Sequence, residues 1–288
     1  MRKPTELGGD AVRFVMQDPA IAYALLFRSF SPGSRPKGLK VTSEHAGYRF
    51  TFTCWEWLDV RDQSVLLAVV GMAAMGQEEL YSDSIDPIDI ELWEKLSPRH
   101  GLVNGVAPVF ATTCYKLLKA AGHYTRIQDY KRLKDSLYRL SQVGCRVYEH
   151  DKEYSMQLLS YLTTPDGNIQ IALNSRFTDI FSSGQYIRVS LDERRKLRLD
   201  CSKLLHAWLT TSINPGSAGY WTKVDSLVMK VWGVPSNVPS TERSRRAQIC
   251  SALKEIGKLD GWKVKTLFKG SQAQVQVKRP RPDVKRLV

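Results

Sequence analysis

Hydrophobic and polar positions along this chain switch between a helical and a strand period, and the order of the switches repeats once. The first forty residues carry little sustained pattern and read as loop, ending in the basic, turn-prone SPGSRPKG (31–38). YRFTFTCW (48–55) is aromatic, threonine-rich and partly alternating, as a strand is. Residues 62–75 read as a buried helix, and the run VLLAVVGMAAMG (65–76) is too short to span a bilayer. Residues 110–121 then read as a helix stopped by Gly122. Residues 126–142 form a second helix, with Tyr130, Leu133, Leu137 and Leu140 on one face. Short strands follow over 145–174, in CRVYEH, EYSMQLLSYLTT and, after the hairpin signal PDGN, IQIALN.

The order then returns. QYIRVSL (185–191) reads as a strand, 192–212 as a long helix ending at NPG, and 223–231 as a short helix closed by Gly233 and Pro235. A helix over 241–258 ends at Asp260-Gly261, and WKVKTLF and AQVQVK form a hairpin (262–278) about the turn KGSQ. Helices followed by a hairpin, twice, predict an α+β chain of two tandem winged helix-turn-helix domains. The expected divisions are an arm (1–46), a first winged helix (47–181), a second (182–279) and a basic tail (280–288) broken by proline. The first winged helix is expected to carry a dimer or partner surface with some DNA contact, and the second to be the main DNA reader.

Charge separates the halves more sharply than hydropathy does. Of 288 residues with a net charge of +13, residues 182–288 hold 21 Lys and Arg against 8 Asp and Glu, while the remainder balances at 21 each. An excess confined to the last third points to a polyanionic partner met by that lobe. EELYSDSIDPIDIELWEKL (78–96), with seven acids and one lysine, would repel nucleic acid and is expected to face solvent or a protein. Cys54, Cys114, Cys145, Cys201 and Cys250 are odd in number and never in a CxxC pair, which suits reduced thiols in core positions of a cytoplasmic protein. The N-terminal MRKPTELGGD lacks the apolar stretch of a secretory signal, and no membrane association is expected.

On a helical wheel the 241–258 segment divides. Ile249, Cys250, Leu253, Ile256 and Gly257 share a core arc, and beside it lie Arg243, Ser244, Ala247, Ser251, Lys254 and Lys258. Small residues among long cations let a backbone approach a major groove while Arg and Lys reach base edges and phosphates. Arg245 and Arg246 flank this arc at the N-terminal end, where a recognition helix meets bases first. Pro239-Ser240-Thr241 offers a cap and amides for a phosphate, and Lys223, Lys263, Lys265, Lys269 and Lys278 surround the helix. In the first domain, Lys131, Arg132 and Arg139 are mixed with Asp129 and Asp135, a pattern that suits a solvated or protein-facing surface as well as phosphate contact.

Catalytic and cofactor patterns are missing from the sequence. It holds no GxxxxGK[ST] phosphate loop, and His45, His100, His123, His150 and His206 are never paired at metal spacing. His206 in LLHAWL reads as a core histidine. The expectation is a binder without cofactor or metal, with a winged-helix transcriptional regulator or a nickase or recombinase as alternatives.

The series GQYIRVSLDERRKL (184–197), LLHAWL, INPG, VWG and TERSRRAQICSALKEI (241–256) resembles replication protein C, the iteron-binding initiator of IncQ-type plasmids. The likeness extends through QDPA (17–20), LFR (26–28), TRIQDYKRLKDSLYRL (125–140) and LNSRF (173–177). It implies two winged helices in a pseudo-two-fold relation, binding of direct repeats at a plasmid origin, and a plasmid-encoded helicase and primase as partners. It also implies a recognition-helix role for Arg243, Ser244, Arg245 and Arg246. The segment 78–96 departs from the family pattern by its acidity. Two dissimilar reading heads also suit asymmetric sites multiplied as direct repeats, spanning roughly 20 bp if they sit one helical turn apart.

Overall fold

The computed structural model describes residues 12–31, 33, 35–76, 78–99, 105–149, 152–164, 167–268 and 272–281, and divides the chain into two units. Unit 1 comprises Met1–Leu26 and Pro32–Leu191; unit 2 comprises Phe27–Ser31 and Asp192–Val288. The fold is mixed α/β with antiparallel sheets.

Unit 1 is organised around a helix that is apolar on nearly every side and therefore buried. This helix is α2 (Val60–Gly76), preceded by β1 (Phe14–Gln17), α1 (Pro19–Tyr23), β2 (Lys37–His45) and β3 (Tyr48–Glu56). The expected arm is thus partly built into the unit: β1 pairs with β10 (Ile187–Ser190), and β2 pairs with β3. After α2 come β4 (Glu78–Tyr81), α3 (Pro87–Leu96), β5 (Val106–Thr113), α4 (Cys114–Ala120) and α5 (Ile127–Ser141). The helix expected over 110–121 therefore begins only at Cys114. VAPVFATT before it is a central strand buried on both faces, whose unbroken apolar run hides its period.

Four further strands fall into two sheets. β6 (Gly144–Glu149) and β7 (Lys152–Gln157) extend the β2-β3 pair in the order β2-β3-β6-β7. β8 (Leu159–Thr163) and β9 (Asn168–Leu173) join β4 and β5 in the order β4-β5-β9-β8. The segment read as EYSMQLLSYLTT thus breaks at Leu158 and serves both sheets. α6 (Arg176–Ser183) leads into β10. Two segments of the family resemblance meet in this unit. Asp18 of QDPA accepts from Ala20 N (2.8 Å) and from Arg176 of LNSRF, 158 residues away, through Nε (2.6 Å) and Nη2 (3.1 Å).

Unit 2 repeats part of this order on a smaller scale. α7 (Leu191–Lys196) and α8 (Asp200–Ser212) replace the single helix expected over 192–212. The amides of Arg198 and Leu199 at that break donate to the Glu255 carboxylate (2.7 and 3.2 Å), so a distant side chain caps α8. β11 (Thr222–Lys223), α9 (Val224–Trp232), α10 (Pro239–Ile256), β12 (Lys263–Leu267) and β13 (Gln274–Lys278) complete it, with strand order β11-β13-β12. In both units, then, a strand and two helices are followed by antiparallel strands, and the last of these (β9 or β13) lies beside the strand that precedes the two helices (β5 or β11), with β6 and β7 intervening in unit 1. Phe27 and Arg28 of LFR belong here and Leu26 to unit 1: Ser29 N donates to Val231 O (2.8 Å), and a Cβ on Gly233 (φ +70°) would collide with the Arg28 guanidinium.

Burial raises the Glu255 carboxyl, but the Ser202 side chain and the two amides outweigh it and hold its pKa below the ordinary 4.5. The capping contribution is therefore present above the unfolded value and fades as pH falls through the folded one. Glu255→Gln is expected to lower unfolding stability by about 1 kcal/mol at neutral pH. Urea titrations should show the gap to wild type closing below about pH 4.

Candidate nucleic-acid interface

α10 owes its position to Ile249, Ala252, Leu253 and Ile256, which are buried at helical spacing. Cys250, expected in this core arc and among the core thiols, is exposed, and Ala252 takes its place. The helix starts at Pro239, its N-cap is Val238, and no side chain caps it, so Ser240 and Thr241 are helical residues rather than caps. Arg243, Ser244, Ala247, Gln248, Cys250, Ser251, Lys254 and Lys258 are all exposed.

The three arginines of RSRR divide. Arg243 points outward. Arg245 donates to Val234 O (2.8 Å) and sits 5.3 Å over the Trp232 ring, bracing the turn between α9 and α10. Arg246 forks Asp225 of α9, with Nη2 to Oδ2 at 2.9 Å, and that bond raises its pKa further. The same turn is held by Glu242, whose carboxylate accepts from Ser236 N (2.6 Å). The family resemblance implies one recognition role for Arg243, Arg245 and Arg246, and nothing local in the sequence reveals the acid 21 residues upstream that engages Arg246. Gln248, absent from the sequence-derived set, lies one turn beyond Ser244 and donates to its Oγ (3.3 Å), a side chain able to address an adenine edge.

Between α10 and the β12–β13 hairpin runs a groove of about 1280 Å³. Arg243, Arg246, Ala247, Cys250, Lys254 and Lys258 form one wall, and Lys263, Val264, Thr266 and Phe268 form the other. Lys223, Lys265 and Lys278 are exposed, but the register sets Lys278 opposite Lys263 at the base of the hairpin, far from the end where Leu267 faces Gln274. Lys269 lies outside the described residues, as do most of the KGSQ turn, Pro165 and Asp166 of PDGN, His100, His150 and the basic tail beyond Arg281. His206 is fully buried, its ring 5.2 Å from that of Trp262. Its Nε2 is 2.8 Å from Glu193, and burial lowers its pKa despite that carboxylate, favouring the neutral ring.

In unit 1 the structure changes the reading of α5. Arg139 is turned inward: its guanidinium forks Asp62 of α2 (Nη2–Oδ1 2.7 Å, Nε–Oδ2 3.1 Å), and Arg35 reaches the same carboxylate at 3.1 Å. Asp129 is turned inward as well, 3.0 Å from Arg61. Arg139 thus leaves the expected DNA-binding set for a structural reason. The face that remains exposed carries Lys131, Arg132 and Lys134 against Asp135 alone, with Arg126 stacked over Tyr124 and Ile127 at 90% exposure. The acidic segment is elsewhere in the unit, on β4 and α3, where Leu80, Leu92 and Leu96 join its core cluster.

Among the described residues no helix is long and apolar enough to cross a membrane. The family model for replication protein C (RepC) matches residues 11–281. No curated protein sequence matches the chain. Among solved structures it is similar to a selenomethionine crystal structure of domains 2 and 3 of RctB. That match has a TM-score of 0.53 at 13% identity and covers 91% of this chain and 96% of the other. A second crystal structure of RctB domains 2–3 matches with a TM-score of 0.49 at 13% identity, covering 91% and 97%.

Proposed function

The chain belongs to the replication protein C family, and from that premise we propose that it is a plasmid replication initiator that binds double-stranded DNA at direct repeats of an origin. On this reading both units are winged helices, with α10 as the recognition helix of unit 2 and α5 that of unit 1. The protein works by binding rather than by chemistry, in the bacterial cytoplasm, and opens the origin alongside a plasmid helicase and primase, with a homodimer as a further state. The observation that carries the reading is the exposed stripe of α10. Arg243, Ala247, Cys250 and Lys254 recur on one face beside Ser244, Gln248 and Ser251, where long donors alternate with residues small enough to let the helix enter a groove.

Footprinting on the chain's own replicon tests it. Protection of tandem direct repeats supports an initiator, whereas protection of a promoter palindrome alone would favour a transcriptional regulator. Lys131→Ala and Arg132→Ala are expected to weaken binding by the same factor on specific and scrambled duplexes. Each should lower the salt slope by about one, as phosphate contacts do.

A further inference from the structure

The groove beside α10 holds an aromatic ring that packing does not explain. Phe268 follows β12 with 68% of its surface exposed, so the core gains little from it. Its φ is +61°, a left-handed conformation that an aromatic residue adopts only at a cost and that glycine would adopt freely. Phe268 nevertheless lines the groove with Val264 and Thr266, and α10 contributes Arg243 and Lys254 to the same groove. The ring therefore stands where the hairpin leaves the sheet, on the side of the reading helix and next to cations that attract phosphates.

An exposed apolar ring in such a place suits one occupant, the base stack of a duplex. Phenylalanines inserted from the minor groove part neighbouring base pairs and kink the helix by about 20–90°. We propose that Phe268 is a wedge: with α10 in the major groove, the ring enters the adjoining minor groove and unstacks a base step. The proposal rests on the DNA-binding reading above and deepens it, since an initiator needs its site distorted and a protein that only marks a site does not.

The test uses the full chain and a duplex that wild type enriches from a randomised pool. Bending is measured by circular permutation, and unstacking by permanganate reactivity of thymines. Wild type is expected to bend the duplex and expose thymines beside the site, and Phe268→Leu to keep most of both effects. Phe268→Ala and Phe268→Gly should still bind but bend by less than about half as much, with permanganate reactivity lost. Glycine fits the backbone at this position, so a folded, binding Phe268→Gly that fails to bend isolates the ring from any change in the turn. Wild-type bending by both truncations overturns the wedge, as does weaker binding with the bend of the remaining complex unchanged. A wild type that enriches no duplex overturns the DNA reading itself, and the wedge with it.

Discussion

Arg139→Ala is expected to destabilise unit 1 by about 3–5 kcal/mol, the range for removing one partner of a buried ion pair. Asp62 is fully buried, and burial raises its carboxyl pKa against the pull of the Arg139 fork. Without Arg139 the carboxylate keeps Arg35 at 3.1 Å, the Asp59 amide at 3.1 Å and the Ser136 side chain. Desolvation is then less well compensated, and of the two ion pairs between α2 and α5 described above the Arg61–Asp129 pair remains. Arg139→Lys keeps the charge without the two-pronged geometry and should lie between alanine and wild type. Urea unfolding followed by fluorescence measures the loss. A double-mutant cycle with Asp62→Ala should show strong coupling, the double variant costing clearly less than the two singles added. Native stability in Arg139→Ala together with lost DNA affinity would return this residue to the binding face.

That reversal shows where the sequence was readable and where it was not. Ile249, Leu253 and Ile256 gave the core side of α10, because large apolar residues at helical spacing have no other economical place. Cys250 and Ala252 were exchanged because small side chains carry little weight on a wheel. The outward stripe of Arg243, Ser244, Ala247, Ser251 and Lys254 was legible for the same reason as the core, being its complement. Partners distant in sequence were not. Asp62 pairs with Arg139 and Asp129 with Arg61, and each pairing removes a charge from the surface that a linear count assigns to it. One signal was available: an aspartate at the head of an otherwise apolar helix must find a cation, since an unpaired buried carboxylate is too costly. Once Asp129 and Arg139 are subtracted, α5 ceases to be a face of mixed sign. The neutrality of the first 181 residues is then a sum over separated patches, acidic on β4 and α3 and basic on α5. Net charge over a span says nothing about how that charge is distributed on the folded surface.

Arg243→Ala is expected to cost about 1–3 kcal/mol on the preferred duplex, roughly 5- to 150-fold in Kd, and to relax selectivity at one base pair. Arg246→Ala should cost clearly less on that duplex, although the two residues stand three positions apart on one helix. The difference lies in their starting states. Arg243 is exposed and directed outward, whereas Arg246 is engaged by both oxygens of Asp225 and would have to give up that fork to reach a base. Asp225→Asn then makes the opposite prediction. It weakens the fork and removes a negative charge, so it should tighten binding to specific and scrambled duplexes alike and steepen the salt dependence, because an unpaired guanidinium near a groove attracts phosphate without regard to sequence. Fluorescence anisotropy at several salt concentrations separates these effects. Equal losses for Arg243→Ala and Arg246→Ala, with no change in Asp225→Asn, would mean that the fork opens on DNA and that both arginines read. The expected ordering instead assigns recognition to Arg243 and the placement of the helix that carries it to Arg245 and Arg246.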